Sequence, residues 1–157
     1  MRFRKGFAPL ADRGMTLIEV MVVVIILGMI ATIVGKVVLD RMEDARVNTA
    51  RAQIAQFMGA LDLFYLDNSF YPTTQQGLQA LIVKPTTGPA TDKWGHRKYL
   101  AGEVIPLDPW GHEYFYQCPG THGPFDIICY GRDGVEGGEG YDADINSWEL
   151  GGARKQE

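Results

Sequence analysis

The stretch Arg13–Gly28 reads RGMTLIEVMVVVIILG, and beyond Arg13 its one charged residue is Glu19. From Leu17 to Leu39 the only charged residues are Glu19 and Lys36. At a helical rise of about 1.5 Å per residue such a run spans about 34 Å, enough to cross a bilayer. A secretory signal would have a shorter apolar core and a small-x-small cleavage site, which MIATIVGKVVL does not offer. The run is therefore expected to stay in the mature chain. Arg2, Arg4, Lys5 and Arg13 against Asp12 make the first fourteen residues +3 in a chain of net charge -4, so the remainder carries -7. Basic residues ahead of the span place the N-terminus in the cytoplasm and the rest in the periplasm or exterior, with Lys36 reaching for the far interface. An acidic folded part argues against nucleic acid as a partner.

A carboxylate inside a membrane helix is costly and is usually retained with a partner. One reading leaves Glu19 as an interfacial group without a role. The other has the chain cut between Gly14 and Met15, which creates a terminal ammonium that Glu19 neutralises on an adjacent copy.

The junction RG followed by MTLIEVMVVVIILG resembles the prepilin peptidase site of type IV pilins and type II secretion pseudopilins. The resemblance implies cleavage after Gly14, N-methylation of Met15, and an assembly role for Glu19 as the fifth mature residue. Gly6–Phe7 is a decoy: cutting there puts Ala11 fifth and Pro9 in the helix start. Met15 replaces the commoner Phe, and Gly35–Lys36 stands where the family commonly has Pro. Four later blocks, ALDLFYLDNSFYPTTQQGLQAL, PLDPWGHEYFY, GPFDI and GRDGVEGGEGYDADINSW, resemble the protein G, or major pseudopilin, subgroup.

The same blocks carry a physical reading. Val47, Ala50, Ile54, Phe57, Leu61 and Phe64 recur every three or four residues, so the helix continues into an amphipathic half ending near Asn68. Tyr71–Pro72 stops it, and Thr73-x-x-Gln76 is a capping-box pattern before a short second helix. The Pro- and Gly-punctuated segment 84–103 reads as a surface loop. Asp108-Pro109-Trp110-Gly111 suits a type I turn. EYFYQC and FDIICYG have strand composition, PGTHGP reverses the chain between them, and a third strand is expected near SWEL. The fold class is α+β: a long N-terminal helix, half membrane and half amphipathic, packed on a small antiparallel sheet. The domains are a removed basic leader (1–14), a transmembrane and assembly helix (15–39) and a periplasmic domain (40–157).

If Pro119–Pro124 form the turn, Cys118 lies opposite Phe125 and Cys129 opposite Tyr114. The thiols are then about 13 Å apart and beyond disulfide reach, whereas a shifted or bulged register brings them together. His96, His112 and His122 lack zinc-like spacing, and no nucleophile elbow, phosphate loop or kinase signature occurs. An enzyme is not expected.

Chemistry is left to GRDGVEGGEGYDADIN. Its composition alone favours a solvated acidic turn, although a Gly-rich loop also lets carboxylates and carbonyls converge on a hard cation. The resemblance implies a structural calcium loop ligated by Asp133, Asp142 and Asp144, with the carbonyls of Tyr130 and Val135; Glu136 and Glu139 are left facing solvent. It also implies a homopolymeric filament, minor pseudopilins, the prepilin peptidase and the inner-membrane secretion platform as partners, and an inner-membrane location. The alternatives are a type IV pilin of a surface fibre and a membrane-anchored calcium-dependent binding module.

Overall fold

The computed structural model describes residues 14–91, 93–94 and 98–150. The leader up to Arg13, His96 and the tail after Leu150 lie outside them. The chain divides into two compact units, Met1–Asp40 and Arg41–Glu157.

One helix, α1 (Leu17–Asn68), dominates the chain. Thr16 caps it: the Glu19 amide donates to Thr16 Oγ1 at 3.3 Å and the Val20 amide to Thr16 O at 3.2 Å. In the first unit every described residue of α1 is exposed, so Leu17–Leu39 presents apolar side chains all round. This helix is long and apolar enough to cross a membrane.

In the second unit the expected stripe is buried. Ala50, Ile54, Phe57, Leu61 and Phe64 are fully shielded and Val47 packs at the margin. Phe57 meets Tyr114 edge-on at 5.0 Å between ring centroids, and Phe64 meets Tyr99 at 5.2 Å. Truncating either phenylalanine to alanine costs about 3–5 kcal/mol. The helix ends because Ser69 turns left-handed (φ 65°) while its amide still bonds Tyr65 O at 2.7 Å.

Thr73 and Gln76 form the capping box reciprocally. The Thr73 amide donates to Gln76 Oε1 at 2.9 Å and the Gln76 amide to Thr73 Oγ1 at 3.3 Å. The helix that follows is a single 3-10 turn, Leu78–Leu81, whose Leu81 carbonyl accepts the amides of Tyr99 and Leu100 and so pins the end of the long loop.

The sheet is antiparallel in the order β1 (Phe115–Gln117), β2 (Asp126–Cys129), β3 (Ile145–Asn146). Phe115 pairs with Ile128 and Gln117 with Asp126, the register expected for a turn over Pro119–Pro124. Cys118 thus lies at the turn end of β1 while Cys129 pairs with Ile145 on the other side, and both thiols are free. The third strand lies beside SWEL, as expected: Ile145–Asn146 pairs with β2, while SWEL itself forms a helical turn, α2 (Ser147–Leu150). The turn follows from a contact across the sheet. Ser147 Oγ takes the Ile127 amide at 3.0 Å, supplying the next ladder bond from a side chain and releasing the backbone to curl.

Candidate functional site

At the N-terminal end, Gly14 and Met15 precede the first helical residue and are exposed. A Cβ on Gly14 would meet nothing within 4 Å. Glu19 stands three residues after the cap Thr16, also exposed, where a carboxylate is favoured by the unpaired amides of a helix start. Thr16-x-x-Glu19 is thus also a helix-start signature, a second role for Glu19 that its spacing from Thr16 makes visible in the sequence.

The acidic loop runs between β2 and β3. Its two limbs are tied by the Arg132 amide, which donates to Tyr141 O at 3.0 Å. Gly131 permits this closure: its φ is +63° and a Cβ there would lie 2.7 Å from the Asp142 carbonyl oxygen. Gly134, at φ +69°, rests on the His112 ring, which a Cβ would approach to 2.8 Å. The loop is therefore seated on the turn that precedes β1. Tyr141 adds a tether, donating its hydroxyl to Asp44 Oδ1 at 3.2 Å on α1.

The expected ligands fall in different situations. Asp133 is exposed, and its Oδ1 accepts the Val135 amide at 3.1 Å. Val135 itself is exposed. Asp144 Oδ2 accepts the Gly137 amide at 3.0 Å, while its Oδ1 is buried without a hydrogen-bond partner. Tyr130 is half-buried, and its hydroxyl is raised above the usual tyrosine value by burial first and then by Glu136 and Asp144. Asp142 is engaged elsewhere: Arg132 Nε donates to its Oδ1 at 2.8 Å and Arg132 Nη2 to its Oδ2 at 3.0 Å. Among the described residues no three His, Cys, Asp or Glu side chains gather at metal-binding distance. The orphaned Asp144 oxygen fits a cation; Asp142, in its arginine fork, does not fit without rearrangement.

Asp108, a turn former by its sequence context, does more in the structure. It is buried, and Oδ1 accepts the amides of Trp110 at 3.0 Å and His112 at 2.8 Å. The Gly111 amide reaches Asp108 O at 3.0 Å, closing the expected turn. His112 Nδ1 lies 3.5 Å from Asp108 Oδ2, too long for a hydrogen bond, and is itself buried without one. The signal available was Asp at the first turn position before an aromatic strand, which suggests an Asx turn but not its burial.

Comparison with known proteins joins these features. A prokaryotic N-terminal methylation motif matches residues 10–35, across the Gly14–Met15 junction and Glu19. The family model of type II secretion system protein G matches residues 37–148. The chain is 49% identical over 136 residues to the type II secretion system core protein G of Pseudomonas aeruginosa, covering 87% of this chain and 94% of that protein. Against the core protein G of Vibrio cholerae it is 46% identical over 137 residues, covering 87% and 92%. The crystal structure of the major pseudopilin of the type 2 secretion system of enterohaemorrhagic Escherichia coli superposes with a TM-score of 0.61 at 34% identity, covering 71% of this chain and 93% of that one. The chain thus belongs to the type II secretion system protein G family, the major pseudopilins.

Proposed function

We propose that this chain is the structural subunit that polymerises into the pseudopilus and drives folded proteins across the outer membrane. One observation carries the reading. The helix Leu17–Leu39 exposes apolar side chains on every face, with only Glu19 and Lys36 charged. Such a surface needs lipid when the subunit is stored and other copies of the helix when it is assembled. The membrane is the inner one, with the basic N-terminus cytoplasmic and the unit from Arg41 onward periplasmic. Prepilin peptidase cuts after Gly14 and methylates Met15, and Glu19 compensates the neighbouring copy's new ammonium. Minor pseudopilins and the inner-membrane secretion platform are the further partners.

The role is structural. The acidic loop holds calcium through Asp133, Asp142 and Asp144, with the carbonyls of Tyr130 and Val135. A bound ion supplies the positive charge that Asp133 and Asp144 lack and that Asp142 finds only in Arg132. The unpartnered Asp144 Oδ1 supports this reading.

Intact-mass analysis of chain recovered from membranes tests the processing. The expected species lacks residues 1–14 and carries one added methyl group. A full-length chain, or one cut at Gly6, would overturn the assignment.

A further inference from the structure

Five carboxylates (Asp133, Glu136, Glu139, Asp142 and Asp144) crowd the sequence from Tyr130 to Asp144, where the one basic residue is Arg132. Arg132 uses both its backbone and its side chain on the returning limb. Its amide donates to Tyr141 O at 3.0 Å, and its guanidinium takes both oxygens of Asp142 at 2.8 and 3.0 Å. The fork is bidentate, the arrangement in which arginine binds carboxylate best. Asp142 is at once an expected calcium ligand and the residue most completely engaged by another cation.

We propose that Arg132 is the resident counter-cation of the acidic loop, holding Asp142 when calcium is absent and competing with calcium for that carboxylate. The inference rests on the calcium reading above. Two consequences follow from charge alone. Without calcium, Arg132 neutralises one carboxylate and keeps the limbs closed, so the loop retains its shape where a purely acidic one would spring apart. With calcium present, a guanidinium beside a divalent cation is repelled, so Asp142 must release Arg132 before it can ligate freely. Arg132 thereby lowers the loop's calcium affinity while making its fold less dependent on the ion. The pair is half-exposed, so the competition is one that calcium can win. Glu136 and Glu139, both exposed, offer the released guanidinium alternative partners.

The test uses the full chain in detergent, comparing wild type, Arg132→Ala and Arg132→Lys by thermal melting in chelator and in calcium and by calorimetric calcium titration. Arg132→Ala is expected to melt lower than wild type in chelator, to gain a larger calcium-induced shift, and to bind calcium about 3- to 10-fold more tightly. Arg132→Lys, with a compact ammonium and no fork, is expected to fall between them. A wild type indifferent to calcium beside an Arg132→Ala that responds supports the proposal in its strongest form, the arginine having replaced the ion. If Arg132→Ala unfolds in chelator, rescue by calcium supports the proposal equally. Calcium binding of equal strength in all three chains overturns the role of Arg132 while leaving the calcium loop standing. Absence of any calcium response in all three overturns both.

Discussion

The thiol of Cys129 donates to Asp108 Oδ2 at 3.3 Å, and both residues are buried. Through its other oxygen the same carboxylate holds the amides of Trp110 and His112. A single side chain thus ties the turn entering β1 to the middle strand of the sheet, directly beneath the acidic loop seated on His112. Asp108→Ala leaves those amides and the thiol without an acceptor, and a loss of about 2–4 kcal/mol is expected. Asp108→Asn keeps one acceptor oxygen and should lose less. Urea denaturation of both variants measures the difference; a loss under about 0.5 kcal/mol for the alanine variant would mean that water replaces the carboxylate without cost.

Alkaline pH should destabilise the fold. Burial pushes the Cys129 thiol up to about 12, a bond from the Gly131 backbone partly offsets this, and Asp108 and Asp144 add to it. Burial also raises the Tyr114 and Tyr116 hydroxyls, with Cys129 and Asp108 adding at Tyr114. For each group the folded state holds its proton more tightly than the unfolded chain. Their stabilisation is therefore complete below the unfolded value, near 9 for the thiol, and is lost as pH rises toward the folded value. Melting temperature followed from pH 8 to 11 should fall above about pH 9, and Cys129→Ala should flatten the early part of that fall. A profile level to pH 11 in the wild type would contradict the burial argument.

Helical periodicity makes most of this fold legible in the sequence. Ile54, Phe57, Leu61 and Phe64 announce a buried face by spacing alone, and the Thr73–Gln76 box announces its own hydrogen bonds. The strand pair was readable from composition and its turn over Pro119–Pro124, and of the registers left open the unshifted one is observed, which separates Cys118 from Cys129. The third strand was legible beside SWEL but its end was not, because the deciding bond, Ser147 Oγ to the Ile127 amide, joins residues twenty apart. Tertiary context overrode propensity there. In the acidic loop the residue types were legible and their partners were not. Nothing in GRDG distinguishes an arginine facing solvent from one forking Asp142, since that depends on how Gly131 folds the limbs together.

Processing should depend on Gly14 for reasons separate from folding. Gly14 precedes the helix and is open on its Cβ side, so Gly14→Leu finds room in the isolated chain. A peptidase, however, must bring its catalytic groups against the backbone it cuts, and a leucine side chain obstructs that approach. The expected result is uncleaved precursor in membranes, with thermal stability of the Arg41–Glu157 unit unchanged. Normal removal of residues 1–14 from this variant would show that Gly14 does not define the cleavage site.

Glu19→Gln separates the two physical roles that a carboxylate at this position can have. As the residue three positions after the Thr16 cap, Glu19 favours the start of α1, a contribution of about 0.3–1 kcal/mol that matters little in a helix of 52 residues. Its backbone amide bond to Thr16 Oγ1 is untouched by the substitution. The helix should therefore form, insert and be cut after Gly14 as in the wild type. What the amide cannot supply is the negative charge proposed to offset a neighbouring copy's terminal ammonium. In a low-dielectric helix bundle an uncompensated charge is far more costly than the lost cap interaction. The variant should accumulate as processed, membrane-held subunit with few filaments and little secretion. Quantifying cleaved subunit in membranes against subunit in sheared filaments measures the split directly. Filaments at wild-type abundance would leave Glu19 with only its helix-start role.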